Sequence, residues 1–309
     1  SQAIREGEGN PKKGIGLLRH GNGRRCQVAQ ELKKAGFEVK ELCQTLSISR
    51  SVYYVRQQAK PLRVETIKLR AAMRQVHNEM DKTYGSRRMR EELNEQGWNI
   101  GRHRVRGLMA SLGLIAKRPG KHRYPAGNKP AVVAPNAMNR QFSPESMNTH
   151  WAGDITYLRT AQGWLYLAVV VELYSRRIIS FAFSPQPDSE LTMRALRLAV
   201  EKRRPPCGLM FHSDQGCQYT SSSFQLCLQK QGIISSMSRR GNCLDNAVTE
   251  RFFRSLKSER TSYRRYETRQ QAIADIIDYI EMFYNRKRRH SKLGNLSPVQ
   301  YEQKMLKTA

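Results

Sequence analysis

The sequence predicts an α/β core, built on a mixed five-stranded sheet with helices, that follows all-α units with helix-turn-helix spacing. Short alternating or apolar segments have the length and composition of strands at 151–158, 163–172, 176–183, 209–214 and 233–237. Amphipathic helical patterns lie between and after the later strands. Upstream of residue 117 the apolar residues recur at helical spacing, and a proline-rich stretch then separates the two regions.

Composition indicates a nucleic-acid partner. The 309 residues suffice for two or three domains, and 54 Lys and Arg against 26 Asp and Glu give a formal net charge of +28. An excess this large favours a polyanion, of which nucleic acid is the commonest. The six cysteines form no CxxC pair, so we expect reduced thiols and no zinc site. No apolar run reaches membrane length, and we expect a cytoplasmic protein without a membrane partner.

The first organised unit is predicted at residues 26–60, after a basic segment at 1–25 whose weak periodicity is typical of disorder. Apolar positions predict two short helices, and Ser49 has the position of an N-cap that opens a third. This third helix would present Arg50 and Tyr54 to a DNA major groove. A helical hairpin without a DNA-binding role has the same spacing, and the pattern alone does not separate the two.

A second helical, helix-turn-helix-like DNA-binding unit is predicted at residues 61–117. A long amphipathic helix starts near Val64, a second follows the turn around Tyr84, and a third begins after Gly101. Because Val105 and its apolar neighbours can form the buried stripe of the last helix, arginines are left to contact phosphates or bases. The candidates are Arg87, Arg88, Arg102, Arg104 and Arg106. A solvated basic surface is the alternative for each of them.

A basic, proline-rich linker is predicted at residues 118–148. Its prolines stand among Gly, Asn, Lys and Arg, at 119, 125, 130, 135 and 144. Prolines spaced in this way exclude a long helix and favour an extended tether. Such a tether would raise the effective concentration of the helical units at their site.

Three acidic residues from separate elements form the candidate chemical centre. Asp154 lies inside one predicted strand, and Asp214 closes another. Glu250 lies on a predicted helix, on the face opposite the apolar stripe, with Asn246 and Lys257. Converging carboxylates repel one another unless a cation lies between them, and oxygen ligands without His or Cys favour Mg²⁺ or Mn²⁺. A solvated or capping acid is the alternative for any one of the three.

The core is predicted at residues 149–265 and is completed by a C-terminal helix and basic tail at 266–309. Its first three strands are joined by short turns and would form an antiparallel meander. The C-terminal helix starts after Thr268, which has capping-box spacing to a glutamine three residues later. The basic cluster that follows includes Arg288 and Arg289. It either contacts DNA phosphates near the site or complements the dipole of the helix end.

Short motifs around the three acids resemble the integrase core of bacterial insertion-sequence transposases. They are DITY at 154–157, HSDQG at 212–216, SMS at 236–238 and GNCLDNA at 241–247. The two aspartates are separated by 59 residues, and Asp214 is separated from Glu250 by 35. The pattern is most similar to the second-frame (OrfB) product of the insertion sequence three family, with a DDE catalytic core like that of retroviral integrases. The likeness covers residues 38 to 303.

The resemblance implies a ribonuclease H-like fold and catalysis by Asp154, Asp214 and Glu250 with two Mg²⁺ or Mn²⁺ ions. It implies binding to the terminal inverted repeats of an insertion sequence, followed by DNA strand cleavage and strand transfer. The implied partners are double-stranded DNA of the element ends and the target, further copies of the chain in a dimer or larger oligomer, and the upstream reading-frame product or a fusion with it. Glu172 stands where the family is expected to have Asp, at a strand end away from the three acids.

Polar residues near the acids are further candidate DNA contacts. Lys257 would neutralise the phosphate beside the scissile bond. Asn246, Arg239 and Arg240 would position the strand. Two other functions stay open: a DNA-binding regulator, which leaves the three acids unexplained, and a ribonuclease H-like nuclease, which cuts without joining. The paired helix-turn-helix units argue against the nuclease, because they would supply recognition of a defined sequence.

Overall fold

The computed structural model describes four segments of the chain, residues 21–57, 64–117, 133–239 and 243–308. The chain forms two compact units, Ser1–Ile67 and Lys68–Ala309. No helix within the described segments is long and apolar enough to cross a membrane.

The first unit contains a three-helix cluster. Its helices are α1 Asn22–Lys34, α2 Val39–Thr45 and α3 Arg50–Gln57. Ala29 and Tyr53 are fully buried between them, together with Leu42. The Ser49 hydroxyl accepts a hydrogen bond from the backbone N–H of Val52 at 3.2 Å. Ser49 therefore caps α3, as the sequence predicts.

The second unit is built on a five-stranded mixed sheet in the order β3-β2-β1-β4-β5. Its strands are β1 His150–Thr160, β2 Gly163–Glu172, β3 Ile178–Ser184, β4 Met210–Ser213 and β5 Ile234–Met237. The first three strands pair antiparallel, whereas β1 pairs parallel with β4 and β4 with β5. An antiparallel meander followed by two parallel strands is the arrangement expected of a ribonuclease H-like fold, and the predicted fold class is confirmed.

Helices cover both faces of this sheet. They are α7 Ser189–Arg203 and α8 Ser222–Lys230 on one face and α9 Ala247–Glu259 on the other. Alternate residues of β2 belong to two different cores: Ala168 and Val170 pack with the first pair of helices, and Leu167 and Val169 pack with Phe252 of α9. Burial on both faces explains the nearly continuous apolar run of β2.

The helices of the predicted second DNA-binding unit pack directly on this core. They are α4 Val64–Glu79, α5 Ser86–Glu95 and α6 Arg102–Ser111. Met73, Met89 and Val105 are fully buried in the same apolar cluster as Phe252. Between α4 and α5, the Tyr84 hydroxyl donates to the Lys287 carbonyl at 3.0 Å. The helical segment from residue 68 and the sheet therefore share one hydrophobic core.

The predicted linker divides into two parts. Residues 118–132 lie outside the described residues. Residues 133–148 pack against the sheet, where Met138 is buried beside Ala152. The Met138 N–H donates to the Ser236 hydroxyl at 3.1 Å. Apolar and polar contacts thus hold this part on the core, although proline spacing favoured an extended tether.

The C-terminal elements complete the face covered by α9. They are α10 Arg269–Asp278, a π-helical turn Tyr279–Tyr284 and α11 Pro298–Thr308. Thr268 and Gln271 form the predicted capping box: the Thr268 hydroxyl accepts from the Gln271 N–H at 3.1 Å, and the Gln271 side chain accepts from the Thr268 N–H at 3.3 Å. Ile276 and Ile280 are fully buried and fix α10 and the π-helical turn to the core. Helix α11 is held by Glu302, which pairs with Arg177 and Arg203.

Candidate active site

Asp154 and Asp214 lie at the same level of two neighbouring parallel strands. Ala152 of β1 is paired in register with His212 of β4, and each aspartate follows that pair by two residues. Adjacent strands lie about 4.8 Å apart. Because parallel pairing in register places equivalent positions of the two strands side by side, the sheet itself brings Asp154, inside β1, and Asp214, directly after β4, close together.

Glu250 reaches the same region from α9. It lies in the first turn of that helix, which packs against β1 through its apolar side. Phe252 and Leu256 are fully buried on this side, whereas Glu250 is half-buried and Arg254 is exposed. The three predicted acids thus come from three separate elements.

The three carboxylates influence one another electrostatically. Burial raises the pKa of Asp154 well above its usual value, and the charges of Asp214 and Glu250 raise it further. Burial also raises the pKa of Asp214. The pKa of Glu250 is raised by burial and by Asp214, while Arg254 lowers it. A cation bound among the carboxylates would oppose all three shifts.

Each of the two aspartate carboxylates accepts a hydrogen bond from a backbone N–H group nearby in the sequence. An Asp154 carboxylate oxygen accepts the N–H of Ile155 at 2.8 Å, and an Asp214 oxygen accepts the N–H of Gly216 at 3.0 Å. Among the described residues, no three His, Cys, Asp or Glu side chains are grouped closely enough to hold a metal ion. The chemistry of the donor set, three carboxylates with raised pKa values, nevertheless fits a hard divalent cation.

Gly153 and Tyr219 pack close to the acids, and neither was predicted to be a site residue. A Cβ atom at Gly153 would lie 2.4 Å from the Phe211 ring and 3.3 Å from the Tyr219 hydroxyl. Burial, and then the charges of Asp154 and Asp214, raise the pKa of Tyr219 well above its usual value. The Tyr219 hydroxyl therefore stays protonated close to the acids. The one sequence feature that points to them is that both residues lie near the motifs at 154–157 and 212–216.

Lys257 supplies the positive charge nearest to Asp154. Its ammonium lies 5.2 Å from the centre of the Tyr157 ring, and its side chain is half-buried. Burial lowers the pKa of Lys257, and the charge of Asp154 raises it. Lys257 therefore lies beside the acids, as the helical spacing predicts.

Asn246 is buried, contrary to its expected orientation, and Arg239 is exposed but paired within the protein. Asn246 is only 5% exposed, and its side-chain oxygen accepts the Thr249 hydroxyl at 3.0 Å. The expectation that Asn246 faces outward with Glu250 is wrong. Asn246 belongs to a short 3₁₀ turn before α9, so the helical periodicity that places Glu250 does not apply to it. Arg239 is half exposed but binds the buried Asp245 through Nε at 2.9 Å. Arg240 lies outside the described residues.

Arg288 and Arg289 form ion pairs within the protein. Arg288 is 7% exposed, and its Nη2 lies 2.7 Å from the buried Glu259 carboxylate. Arg289 is 5% exposed and pairs with Glu92 and Glu95 of α5. Both arginines thus have a structural role, which neither sequence alternative, phosphate contact or complement to the helix dipole, describes. A run of basic residues in the sequence does not show which distant acids pair with it.

The remaining candidate DNA contacts lie at the surface. Exposed side chains belong to Arg50, Tyr54, Arg87, Arg102, Arg104 and Arg106. Arg88 is half-buried and lies 3.7 Å from Glu259. Arg104 and Arg106 lie on either side of the buried Val105, each about 100° around α6 from it. Their surface position is compatible with phosphate contacts.

Glu172 stands where the family is expected to have Asp. Its side chain is fully buried, away from the three acids. Its carboxylate accepts the Ser175 N–H at 2.7 Å, the Ser175 hydroxyl at 2.9 Å and the Asn148 N–H at 3.3 Å. Glu172 thus organises the turn between β2 and β3.

Family models match most of the described chain. An integrase core domain model matches residues 144–243, a second integrase core domain model matches residues 250–306, and a model of an HTH-like domain matches residues 65–122. Asp154 and Asp214 fall within the first match, and Glu250 is the first residue of the second.

Two curated relatives resemble the chain over nearly their whole length. "Insertion element IS600 uncharacterized 31 kDa protein" of Shigella sonnei is 40% identical over 266 residues, which cover 85% of this chain and 98% of the relative. "Transposase InsF for insertion sequence IS3A" of Escherichia coli (strain K12) is 38% identical over 287 residues, which cover 89% and 98%.

Solved structures with some similarity come from retroviruses. The HTLV-2 integrase catalytic core domain in complex with magnesium, in its trimeric form, matches with a TM-score of 0.39 and 19% identity over 50% of this chain and 95% of that one. A simian T-cell lymphotropic virus intasome in complex with PP2A regulatory subunit B56 gamma matches with a TM-score of 0.43 and 17% identity over 74% and 73%.

Proposed function

This chain belongs to the IS3 family of insertion-sequence transposases, and we propose that it cleaves and joins DNA strands at the ends of its own element. The observation that carries this proposal is the meeting of Asp154, Asp214 and Glu250 from β1, β4 and α9, where the charges of the other two raise the pKa of Asp154. Three partly buried, mutually repelling acids cost stability, and a chemical role explains why they are brought together.

The carboxylates of Asp154, Asp214 and Glu250 would hold Mg²⁺ or Mn²⁺. When bound there, these ions would stabilise the attacking and leaving oxygens of a phosphodiester. The donor set supports this choice, because it offers carboxylate oxygens and neither thiol nor imidazole.

The chain's own cations would then position the substrate. Lys257, half-buried beside Asp154, neutralises the phosphate next to the scissile bond. The exposed Arg254 lies one helical turn beyond Glu250 and steers the DNA strand towards the carboxylates. Tyr219, protonated behind the acids, keeps a hydroxyl donor available to Asp154 or Asp214.

DNA recognition is assigned to the helical segments. Arg50 and Tyr54 of α3 would enter a major groove at the terminal inverted repeats. Arg87 and the arginines of α6 would contact phosphates or bases. Two element ends require at least a dimer of the chain, and the upstream reading-frame product or a fusion with it is a further partner. A protein with these partners works on DNA in the bacterial cytoplasm.

The test is a joining assay with labelled DNA that carries the cognate element ends, with Mg²⁺ and without it. Wild type should yield metal-dependent cleavage and strand-transfer products, and Glu250→Gln should yield neither. Glu190→Gln, an exposed position on α7, is the matched control and should retain both activities.

Other outcomes separate the rival functions. Cleavage without joining would favour the nuclease. Sequence-specific binding by wild type that is unaffected by Mg²⁺, with no product either alone or after fusion to the upstream reading-frame product, would favour the regulator.

A further inference from the structure

A strongly basic pocket lies on a side of α9 different from that of Glu250. Its volume is about 530 Å³, and its fifteen lining residues include no Asp and no Glu. Six of the lining side chains carry a permanent positive charge: Arg88, Arg140, Arg176, Arg251, Arg288 and Lys292. At 100° per residue, Arg251 and Ser255 of the lining lie 100° and 140° around α9 from Glu250, so the pocket is separate from the candidate active site.

Only part of this positive charge is neutralised by the protein. Arg288 is paired with Glu259, and Arg140 is paired with Asp245 at 2.8 Å. Within the described segments, Arg176, Arg251 and Lys292 form no ion pair with a carboxylate, and each lies in the pocket wall. Cations brought together without acids favour an anionic ligand.

Two buried polar atoms of the wall also lack a partner. Arg176 donates through Nη2 to the Phe142 carbonyl at 2.6 Å, but its buried Nη1 makes no hydrogen bond. The buried Nε2 of His290 likewise makes none. A buried donor without an acceptor costs free energy, and a ligand oxygen would remove that cost. Burial lowers the pKa of His290, and the charges of Arg288, Arg88 and Arg176 lower it further, so the imidazole stays neutral and can donate from one nitrogen.

The ligand should have several negatively charged oxygens. Guanidinium groups bind phosphate oxygens through paired N–H donors, and the hydroxyls of Ser143, Ser255 and Ser291 add further donors to the wall. We propose that this basic pocket binds a phosphate group, supplied either by the backbone of a DNA strand or by a small free polyphosphate. The DNA source rests on the function proposed above, whereas the phosphate site itself does not.

The test measures binding of inorganic tripolyphosphate by calorimetry in metal-free buffer, so that catalysis has no part in the result. Arg251→Gln and Lys292→Gln remove exposed cations, and Arg176→Gln removes the buried donor. Each should weaken tripolyphosphate binding about tenfold, the loss expected for one charge-assisted hydrogen bond. The control is Arg197→Gln, an exposed arginine on α7 across the sheet, which should bind like wild type.

A second arm identifies the source of the phosphate. The affinity for a short DNA duplex is measured against salt concentration, and each lost phosphate contact lowers the slope of log K against log salt by about 0.9. A lower slope in the pocket variants, with competition by tripolyphosphate, assigns the pocket to DNA. An unchanged slope with weakened tripolyphosphate binding assigns it to a free anion.

The proposal is overturned if the Arg251→Gln, Lys292→Gln double variant binds both tripolyphosphate and duplex as the control does. That variant decides the matter even if Arg176→Gln fails to fold, since the side chains of Arg251 and Lys292 are exposed and form no hydrogen bond or ion pair with the other described residues. Failure of strand transfer with intact tripolyphosphate binding would refute the proposed function and leave this site standing.

Discussion

The Nε of Arg289 donates to a Glu92 carboxylate oxygen at 2.8 Å, and this pair ties the C-terminal segment to α5 across 197 residues of sequence. The Arg289 backbone N–H also donates to the Tyr84 hydroxyl at 3.1 Å. These contacts are largely removed from water, where unpaired charges are costly. Helix α5 is therefore held on the C-terminal segment by an ion pair as well as by apolar packing.

Arg289→Ala should lower the free energy of unfolding by about 3 kcal/mol, because it leaves the Glu92 carboxylate partly buried without its partner. Urea unfolding followed by circular dichroism measures this. Arg102→Ala, at an exposed position of α6, should change stability by less than about 0.5 kcal/mol. A wild-type stability for Arg289→Ala together with weaker DNA binding would show that Arg289 contacts DNA instead.

Glu259→Gln should destabilise the protein near neutral pH, and the difference from wild type should shrink in acid. Burial raises the pKa of Glu259, but the charge of Arg288 and its hydrogen bonds outweigh it, so the folded-state pKa lies below the usual 4.5. The stabilisation by the carboxylate is thus fully present above about pH 4.5 and is lost as pH falls through the folded pKa.

Urea unfolding of Glu259→Gln at several pH values between 7 and 3 measures this change. Glu190→Gln, at an exposed position, should match wild type throughout. A difference for Glu259→Gln that grows towards acid pH would reverse the sign and contradict the assignment.

Asp154→Asn should raise the thermal midpoint in metal-free buffer. The folded-state pKa of Asp154 is raised by burial, so ionisation of this carboxyl above its unfolded pKa costs stability, and an amide avoids that cost. Adding Mg²⁺ should stabilise wild type, by about 2.7 kcal/mol at one hundred times the Kd, and should stabilise Asp154→Asn far less. Equal stabilisation of the two proteins by Mg²⁺ would place the ion elsewhere.

The features that local sequence determines could be predicted. Alternation and apolar runs indicated the strands, and Thr268 and Ser49 indicated two helix starts, because strand burial and capping depend on residues close in sequence. Asp154 and Asp214 could be proposed as site residues for the same reason, since one lies inside its strand and the other directly after its strand. The helical periodicity of α9 placed Glu250 opposite the apolar stripe, and the motifs around the three acids joined them into one predicted site.

The side chains whose environment depends on distant partners could not be predicted. From the sequence Arg288 is expected to be a surface cation, because the sequence does not show that Glu259, 29 residues away, lies beside it. The same holds for the buried Asp245, which accepts a hydrogen bond from Arg140, 105 residues away. Hydrogen bonds from Arg239 and Arg140 hold the pKa of Asp245 well below its usual range. Tyr219 could not be predicted as a site residue, because it comes close to Asp154 and Asp214 only when β1 and β4 pair.

The most direct test of the three-acid site compares strand transfer by Asp214→Asn and by Asp188→Asn at normal Mg²⁺ concentration. Asp188 caps α7 by accepting the Leu191 N–H at 2.8 Å, and Asn caps helices equally well, so this variant matches the chemical change outside the site. Our account predicts full activity for Asp188→Asn and loss of both cleavage and joining for Asp214→Asn. Cleavage retained by a folded Asp214→Asn protein would contradict it.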